Sequence, residues 1–398
     1  MKNRVVFHKV IISILLLMIV GLSGCNILPG QSISIIRDAV QITNTPLHSL
    51  TLAISKTPFI PVLPTATPTE SPTFLPSSTP SPTPTKFTLN SFEYNFKPNE
   101  VSPRTYQDTC EYLSNRWGIG KSEPGTIIVP VMYHSVRQSG RELQDNMQVS
   151  QEYFEYTMEY AKKMGFETIT TEELVGFLYN NAPIPQLSMI LIIDDRRLGV
   201  VKDHFMKYLE ENDWTVTLAY ITGIATANEW NEFARLNVND QLDLQAHGFL
   251  HNGETYITEH TSVEVIEQEL YSPIPVIEEQ AGRRPQAFIW PGGNFTTESV
   301  QMAREAGYEV GFTVFSRGPL MYNWIPLGAA EVNVNDPLMV LPRFWSNTAA
   351  LYLERAVEIS AEAKEFANQN KVNEYFWYQN YCPEYPPLAE DDEGVDRE

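Results

Sequence analysis

Positively charged residues are scarce in this chain. Its 398 residues include 28 lysines and arginines against 49 aspartates and glutamates, which gives a formal net charge of −21 at pH 7. Removing the first 24 residues, which carry three cations and no acid, takes the charge to −24. A field of this sign repels polyanions. The composition therefore argues against nucleic acid or an anionic polymer as a ligand and favours neutral or cationic partners.

Two catalytic signatures are also missing. The sequence holds no His-Glu-x-x-His, the zinc motif of many metallopeptidases. It also lacks a Gly-x-Ser-x-Gly nucleophile elbow, which serine hydrolases of the α/β type require. A peptidase is therefore disfavoured.

The N-terminus has the pattern of a secretory signal. Lys2, Arg4 and Lys9 precede an apolar run over 10–22, which is too short to span a membrane comfortably. The run ends Leu22-Ser-Gly-Cys25, which resembles the lipobox of bacterial lipoproteins, so we predict cleavage before Cys25 and its lipidation. The mature protein would then be anchored to the outer face of the bacterial cell membrane. An ordinary secretory signal is the alternative, and it also places the protein outside the cytoplasm.

Composition divides the rest of the chain. Proline, threonine and serine dominate residues 57–85, and such a segment favours extended polyproline II, so we predict a disordered linker over 25–86. Residues 87–387 are long enough for one large domain with a full core. The acidic run over 388–398 predicts a disordered tail.

Cysteine is rare, with three residues in the chain. If Cys25 is lipidated, Cys110 and Cys382 remain, and they bracket the predicted domain. Disulfides form and persist outside the cytoplasm, so we predict a disulfide between these two residues. Two unrelated buried thiols are the alternative.

Apolar runs typical of buried strands alternate with amphipathic helical patterns across the domain. The predicted strands are Thr126–Tyr133, Glu167–Thr170, Leu187–Ile193, Trp214–Thr222, Leu242–Ala246, Gln286–Trp290, Val310–Val314 and Pro337–Leu341. The predicted helices include Tyr153–Met164, Glu172–Tyr179, Val200–Glu211, Val263–Gln280 and Thr297–Ala306. Repeated strand–helix units of this length require a parallel sheet with right-handed crossovers. Seven or eight units favour a barrel over an open sheet.

Polar and glycine-bearing residues follow the ends of these strands. They are His134, Asp194-Asp195, His247, Trp290-Pro-Gly-Gly293 and Arg343. Barrels of alternating strands and helices carry their chemistry at the carboxyl ends of the strands. The sequence therefore predicts that these side chains gather at one edge.

Three of these side chains, together with His251, have the chemistry of a hydrolytic metal site. Asp194-Asp195, His247 and His251 supply three ligands for a divalent metal and leave one carboxylate as a base, the minimum for metal-assisted hydrolysis. Taken alone, the aspartate pair is equally typical of a turn or helix cap. A His-x-x-x-His by itself is typical of a surface or core pair.

In this order the motifs resemble those of the polysaccharide deacetylases with a NodB-type domain, carbohydrate esterase family 4. Ile192-Ile-Asp-Asp195 is similar to the family's Asp-Asp motif, and His247-Gly-Phe-Leu-His251 has the spacing of its metal-binding histidines. Trp290-Pro-Gly-Gly293 is similar to its aromatic-Pro-x-Gly turn. The resemblance covers residues 127–345 and implies an α/β fold, a distorted (β/α)7 TIM-like barrel.

The resemblance also implies a role for each matching residue. Asp195, His247 and His251 would hold one divalent ion, with Zn²⁺ expected, and Asp194 would be the general base.

A second set of roles concerns the substrate. The turn Pro291-Gly292-Gly293 would donate a backbone N–H to the oxyanion. Tyr133 and Trp290 are the candidate aromatic rings for stacking on sugars, with packing inside the barrel as the alternative.

Four departures from the family pattern affect the same region. Arg196 stands where a glycine follows the aspartate pair, and Gly248 stands where a serine or threonine follows the first histidine. No arginine precedes Pro291 to brace the base, so Arg343 or Arg196 is the expected replacement. The late Leu-x-His that supplies a general acid is missing. His134 is therefore the candidate acid, with a role in shaping the pocket as its alternative.

These features predict a metal-dependent hydrolase that removes N-acetyl groups from an extracellular or cell-envelope amino-sugar polysaccharide. The expected partners are an N-acetylated glycan and, through the lipid anchor, the membrane, but no nucleic acid. The departures leave open a catalytically degenerate protein that binds glycan without turnover. A structural lipoprotein without any site is a third hypothesis.

Overall fold

A computed structural model describes most of the predicted domain. The described residues are 89–94, 108–251 and 256–389, and all of them belong to one unit of the chain, Thr79–Glu398. The predicted signal peptide, the lipidation of Cys25, the predicted linker and the tail from residue 390 onward lie outside the described residues. Within the described ranges, no helix combines the length and apolar character needed to cross a membrane.

The strands within the described residues number eleven. They are β1 (Ile127–Tyr133), β2 (Ser135–Arg137), β3 (Gln148–Ser150), β4 (Glu167–Thr168), β5 (Leu187–Asp194), β6 (Val216–Tyr220), β7 (Leu242–Ala246), β8 (Ala287–Ile289), β9 (Val310–Phe312), β10 (Leu320–Met321) and β11 (Phe344–Trp345).

The main sheet is parallel apart from one edge. Its strands follow the order β10-β1-β5-β6-β7-β8-β9, with β4 beside β5 and β11 beside β1, and only the pairing of β1 with β10 is antiparallel among those described. Strands β1, β6 and β7 are buried at every position, as expected for a parallel sheet covered on both faces. The predicted α/β class with a parallel sheet is confirmed.

Helices cover this sheet and connect its strands. They are α1 (Thr109–Trp117), α2 (Gln151–Met164), α3 (Thr171–Asn180), α4 (Leu198–Val200), α5 (Met206–Asn212), α6 (Ala227–Leu236), α7 (Val263–Tyr271), α8 (Pro273–Ala281), α9 (Thr297–Glu305), α10 (Ala329–Val334) and α11 (Ala349–Tyr381). A π-helical turn, Val201–Phe205, joins α4 to α5.

Local sequence explains several helix boundaries. Helix α2 begins where the Ser150 side chain accepts a hydrogen bond from the Tyr153 N–H, and it ends at Gly165, whose φ is +80°. Thr170 and Glu173 form a reciprocal capping box at the start of α3. Because Thr170 is this cap, the strand predicted over 167–170 ends at Thr168.

Proline explains two wrong predictions. The single helix predicted over 263–280 is divided into α7 and α8 at Pro273, whose nitrogen has no hydrogen to donate to the preceding turn. The strand predicted over 337–341 is instead a 3-10 helix, Pro337–Met339, because the fixed φ of a proline suits the first position of a helical turn.

A short segment replaces that strand at the edge of the sheet. Leu341 forms an isolated parallel bridge with Phe312 of β9, and Phe344 pairs with Val131 of β1. Residues 341–345 therefore join the two edges of the sheet and carry Arg343 between them. The arrangement is consistent with a (β/α) barrel in which one position is filled by an irregular segment.

The two ends of the described chain are fastened together. Cys110 of α1 and Cys382, which follows α11, form a disulfide with their Cα atoms 5.6 Å apart. Beyond it, Leu388 bridges Gly118, and the Ala389 N–H donates to the Trp117 carbonyl oxygen at 3.1 Å. Residues 388 and 389 thus pack against the end of α1.

Replacing Cys110 and Cys382 together with serine is expected to lower the free energy of unfolding by about 2–4 kcal/mol, because the crosslink closes a very long loop of the unfolded chain. Urea denaturation of the oxidised protein and the double variant measures this difference. Reduction of the wild-type protein should reproduce it. A loss of less than about 0.5 kcal/mol, the scatter of ordinary surface changes, would contradict the expectation.

Candidate active site

The carboxyl ends of the parallel strands bring together the polar residues predicted to form the site. Asp194 is the last residue of β5, His134 follows β1, His247 follows β7, and Arg343 precedes β11. Asp194, His134 and His247 stand at the same edge of the sheet because neighbouring parallel strands end on the same side. Arg343 lies near this edge because the short β11 pairs with the carboxyl-terminal part of β1, Phe344 with Val131.

Asp194 and Arg343 form a buried ion pair. Arg343 Nη1 donates to Asp194 Oδ1 at 2.6 Å, and Arg343 Nε donates to the Thr313 carbonyl oxygen at 2.7 Å. Both side chains are almost fully inaccessible, 0% exposed for Arg343 and 2% for Asp194. The second bond fixes the guanidinium plane, so Arg343 holds the Asp194 carboxylate in one orientation.

The other carboxylate oxygen of Asp194 faces two imidazoles. Oδ2 lies 3.6 Å from His134 Nε2 and 4.0 Å from His247 Nε2. Burial raises the pKa of Asp194, but the Arg343 guanidinium and then the two histidines outweigh it and bring the pKa below its ordinary value. Asp194 is therefore ionised at neutral pH, with one oxygen bound by Arg343 and the other facing the two imidazoles.

Three potential metal ligands converge beside this carboxylate. One ligand atom each of Asp195, His247 and His251 lies within 4.8 Å of the others. Tetrahedral zinc ligation at about 2 Å requires separations of about 3–4 Å, so the group is at most slightly wider than a bound ion would make it. Asp195 and His251 have φ values of +70° and +41°, and these left-handed turns aim both side chains back across the strand ends.

The tautomer of His247 follows from its partner. His247 Nδ1 lies 2.8 Å from the Ile289 carbonyl oxygen, which can only accept, so Nδ1 carries the proton and Nε2 presents a lone pair. Burial, against the opposing attraction of Asp194, lowers the pKa of His247 to about 4. A neutral imidazole oriented by a carbonyl oxygen is the usual state of a histidine that ligates a metal.

The two arginines after the aspartate pair have different partners. Arg197 Nε and Nη2 lie 3.0 and 2.9 Å from Asp195 Oδ2, and its Nη1 donates to Ser135 Oγ at 2.8 Å. Arg196 is turned away and pairs with Glu229 of α6. The prediction that Arg196 braces the base is therefore wrong, and Arg343 occupies that place. Sequence reasoning missed Arg197, although an arginine pair directly after two aspartates was a visible signal.

The aromatic residues predicted to stack on sugars are both buried. Tyr133 is 1% exposed and packs edge-on against Phe154 and Phe205. Trp290 is 0% exposed, and its Nε1 donates to the Met339 carbonyl oxygen at 2.7 Å. For both residues the structure shows the alternative, packing inside the barrel, because at these strand ends the side chains point into the packed interior.

A different aromatic ring lies beside the predicted oxyanion turn. A Cβ added at Gly292, where φ is +62°, would lie 3.2 Å from Tyr256 Cε2. The Tyr256 ring is edge-on to His251 with centroids 5.4 Å apart, and the residue is 37% exposed. Tyr256 therefore offers an accessible ring next to the metal ligands. Its loop position gave no periodic signal by which the sequence could have marked it.

The backbone of that turn leaves one amide facing outward. Pro291 has no N–H, the Gly293 N–H donates to the Trp290 carbonyl oxygen at 2.8 Å, and the Asn294 N–H donates to the Pro291 carbonyl oxygen at 3.2 Å. The remaining amide of the turn belongs to Gly292, which is exposed. Among the three residues predicted to stabilise an oxyanion, the exposed Gly292 is therefore the remaining candidate donor.

Comparison with known families assigns the segment that carries most of this site. Residues 183–311 match the polysaccharide deacetylase family model. This range includes the aspartate pair, both histidines of the potential metal group and the turn at 291–293, whereas His134 and Arg343 lie outside it. No curated protein sequence matches the chain.

Several solved structures resemble the chain. A deacetylase, PplD, from Streptococcus pyogenes in complex with acetate is 20% identical with a TM-score of 0.47, covering 59% of this chain and 99% of its own. A de-N-acetylase from Aggregatibacter actinomycetemcomitans is 13% identical with a TM-score of 0.47, covering 58% and 99%. IcaB from Ammonifex degensii is 16% identical with a TM-score of 0.45, covering 61% and 98%.

The family match and the clustered residues agree on the class of chemistry. Carboxylate and imidazole groups stand at the edge where a (β/α) barrel acts, and the matched family is that of the polysaccharide deacetylases. Residues 183–311 are similar to the polysaccharide deacetylase family, and this match indicates a hydrolase that acts on carbon–nitrogen bonds, an N-deacetylase.

Proposed function

We propose that the chain is a metal-dependent enzyme that removes N-acetyl groups from an amino-sugar polysaccharide outside the cell. The observation that carries this proposal is the convergence of Asp195, His247 and His251 to within 4.8 Å, beside the ionised and buried Asp194. In a deacetylase domain, such a group supplies both a metal site and a base.

The donor set fits a divalent metal, and zinc in particular. Two imidazoles and one carboxylate form a common set of three protein ligands for catalytic zinc. His247 Nε2 has a free lone pair, and Asp195, although Arg197 binds its Oδ2, would still have Oδ1 to offer an ion. When bound, the ion would supply a Lewis acid for the amide oxygen and lower the pKa of water.

Asp194 would accept the first proton, and Arg343 would hold the Asp194 carboxylate in position. Asp194 Oδ2 would accept the proton of the attacking water, while Oδ1 stays fixed by Arg343 at 2.6 Å. The lowered pKa keeps Asp194 ionised and ready at neutral pH, although it makes the carboxylate an intrinsically weak base. Because Asp194 is a weak base, the site also requires that the pKa of the attacking water be lowered.

His134 would return a proton to the departing nitrogen. Its Nε2 is 3.6 Å from Asp194 Oδ2, so proton acceptor and proton donor lie side by side, and its ring lies nearly parallel to Trp345 with centroids 6.3 Å apart. The Gly292 N–H would donate to the developing oxyanion. The exposed Tyr256 ring would pack against the sugar that carries the acetamide.

Replacing His134 with alanine is expected to lower kcat by about 10²-fold with little change in metal affinity, because the variant loses the proton donor and no ligand. Steady-state acetate release and metal titration measure the two quantities. His260→Ala, an exposed loop histidine, is the matched control. A His134→Ala variant as active as the wild type would remove His134 from the mechanism.

One experiment tests the proposed function as a whole. The purified full chain is analysed for bound metal by mass spectrometry and assayed for acetate release from chitin oligomers, poly-N-acetylglucosamine and peptidoglycan. We expect about one zinc per chain, acetate release from at least one glycan, and loss of activity on chelation that zinc restores. Turnover unaffected by chelation would refute metal dependence.

A second candidate function has a specific observation in its favour. The Arg197 guanidinium already neutralises Asp195, which weakens the attraction of that carboxylate for a cation. A deacetylase-fold protein that binds glycan without turnover would show glycan binding, little bound zinc and no acetate release in the same experiment.

The location of the protein is part of the proposal. The basic residues, the apolar run over 10–22 and the Leu-Ser-Gly-Cys25 sequence support a lipid anchor on the outer face of the bacterial cell membrane. The Pro/Thr/Ser-rich segment that follows supports a spacer between that anchor and the domain. A polymer of the cell envelope would be within reach of a domain held there.

A further inference from the structure

A buried carboxylate accepts hydrogen bonds from the backbone of the turn that carries His251. Glu269 of α7 is 0% exposed, and its two oxygens accept hydrogen bonds from three successive backbone N–H groups. The donors are Phe249 to Oε2 at 2.8 Å, Leu250 to Oε1 at 3.0 Å and His251 to Oε2 at 3.3 Å. One side chain therefore fixes the backbone on which the second histidine of the metal group stands.

These contacts are specific for a glutamate. Three N–H groups need an acceptor with two oxygens and no hydrogen, which describes an ionised carboxylate. A glutamine would turn its NH₂ group toward one of the amides, and an aspartate is shorter by one methylene. Either change would leave buried N–H groups without partners, which is costly in a water-free interior.

Gly248 is matched to Glu269. Its φ is +79°, and a Cβ added there would lie 2.3 Å from Glu269 Oε2 and 3.3 Å from Pro291 Cγ. Any side chain at 248 would therefore displace the carboxylate or the oxyanion turn. This close contact explains why residue 248, which directly follows His247, is a glycine in this chain and not the serine or threonine of the family pattern.

We propose that Glu269 is a positioning residue for the metal site, acting through the backbone of residues 249–251 and requiring a glycine at 248. It sets the place of His251 relative to His247, whose ring centroids are 4.4 Å apart. The inference rests on the proposed metal dependence. In the sequence, the signal is an acidic residue on the apolar face of α7, between Ile266 and Leu270.

The test measures zinc affinity of the full chain by competition with a chromophoric chelator. Glu269→Gln and Gly248→Ala should each weaken zinc binding by about 10–100-fold, the usual effect of losing a group that orients a ligand. Because both changes break the same contact, the double variant should bind zinc about as weakly as the weaker single variant. If Glu269→Gln fails to fold, Gly248→Ala tests the contact from its other side.

Two control variants separate positioning from general damage. Glu267→Gln removes an exposed charge from the same helix and should leave zinc affinity unchanged. Glu331→Gln disrupts another buried carboxylate, 1% exposed and paired with Arg317, and should lower stability without weakening zinc binding. Hydrogen exchange should show faster opening at residues 249–251 in Glu269→Gln and not in Glu331→Gln.

The outcomes distinguish this inference from the function on which it rests. A wild-type chain that binds no zinc would overturn the metal-dependent function and the inference with it. A wild type that binds zinc while Glu269→Gln binds it equally well would overturn the inference alone. Fully additive losses in the double variant would do the same.

Discussion

The Asp194→Asn variant is expected to lose about 10³-fold in kcat for deacetylation while it keeps its metal. Asparagine retains an oxygen that can accept the bond from Arg343 Nη1, so the local geometry is preserved. It has no basic oxygen for the proton of the attacking water. Acetate release measured with metal content on the same samples gives both quantities.

The matched control for this variant is Asp243→Asn. Asp243 is also buried, at 4% exposed, but it accepts from the Thr171 N–H and the Gln245 side chain at 2.8 Å each and lies near the amino end of β7, opposite the end that carries the site. Its substitution should cost stability and leave kcat near that of the wild type. Turnover retained in Asp194→Asn would place the base on another residue.

Replacing Arg343 with methionine is expected to lower the free energy of unfolding by about 3–5 kcal/mol at neutral pH. Removing one partner of a buried ion pair leaves the other charge without compensation, and here that charge is the Asp194 carboxylate. Activity should fall as well, since the carboxylate is no longer held in one orientation. Urea denaturation at several pH values measures the stability effect.

The pH dependence of this loss has a definite sign. In the wild type the pKa of Asp194 is lower folded than unfolded, so its contribution to stability is present above the unfolded pKa and is lost as the pH falls toward the folded one. Without the guanidinium, burial dominates and raises the folded pKa, so protonation stabilises the variant. The difference between the two proteins should therefore shrink in acid.

Arg304→Met is the control for the loss of an arginine. Arg304 makes two hydrogen bonds to Asp336, at 2.7 and 2.9 Å, but the two side chains are 29% and 26% exposed. Arg304 Nη1 also donates to the Glu309 carbonyl oxygen at 2.7 Å, but water reaches this partly exposed site and can replace the lost partner, so a smaller cost than that of Arg343→Met is expected. Equal losses in the two variants would show that the Asp194–Arg343 pair has no special dependence on burial.

Much of the framework of the site could be predicted from the sequence. Apolar runs such as 187–193 and 242–246 indicated buried parallel strands, and polar residues directly after them indicated the edge where the site lies. This inference holds because parallel neighbours must end on the same side of a sheet, whatever the details of packing. Glycine stops at 165 and 307 were equally legible, with φ values of +80° and +93°.

Local sequence patterns predicted secondary structure less well where a proline or an irregular segment interrupts a helix or strand. Apolar residues at 337–341 have the composition of a strand, but Pro337 begins a 3-10 helix and Leu341 alone bridges to Phe312. The apolar composition of residues 337–341 predicted their burial correctly, but composition does not specify the backbone conformation. The wrong boundary at Pro273 has the same origin.

The sequence by itself determined the class of fold, the strand ends that carry the site and the residue types available for metal-assisted hydrolysis, because these depend on local periodicity and on chain direction. Tertiary structure alone decided which side chains meet. Arg343 reaches Asp194 from 149 residues away, whereas Arg196 turns to Glu229. Trp290 points inward, and Glu269 anchors the His251 turn. Side-chain direction depends on neighbours that are distant in sequence, and no local pattern contains them.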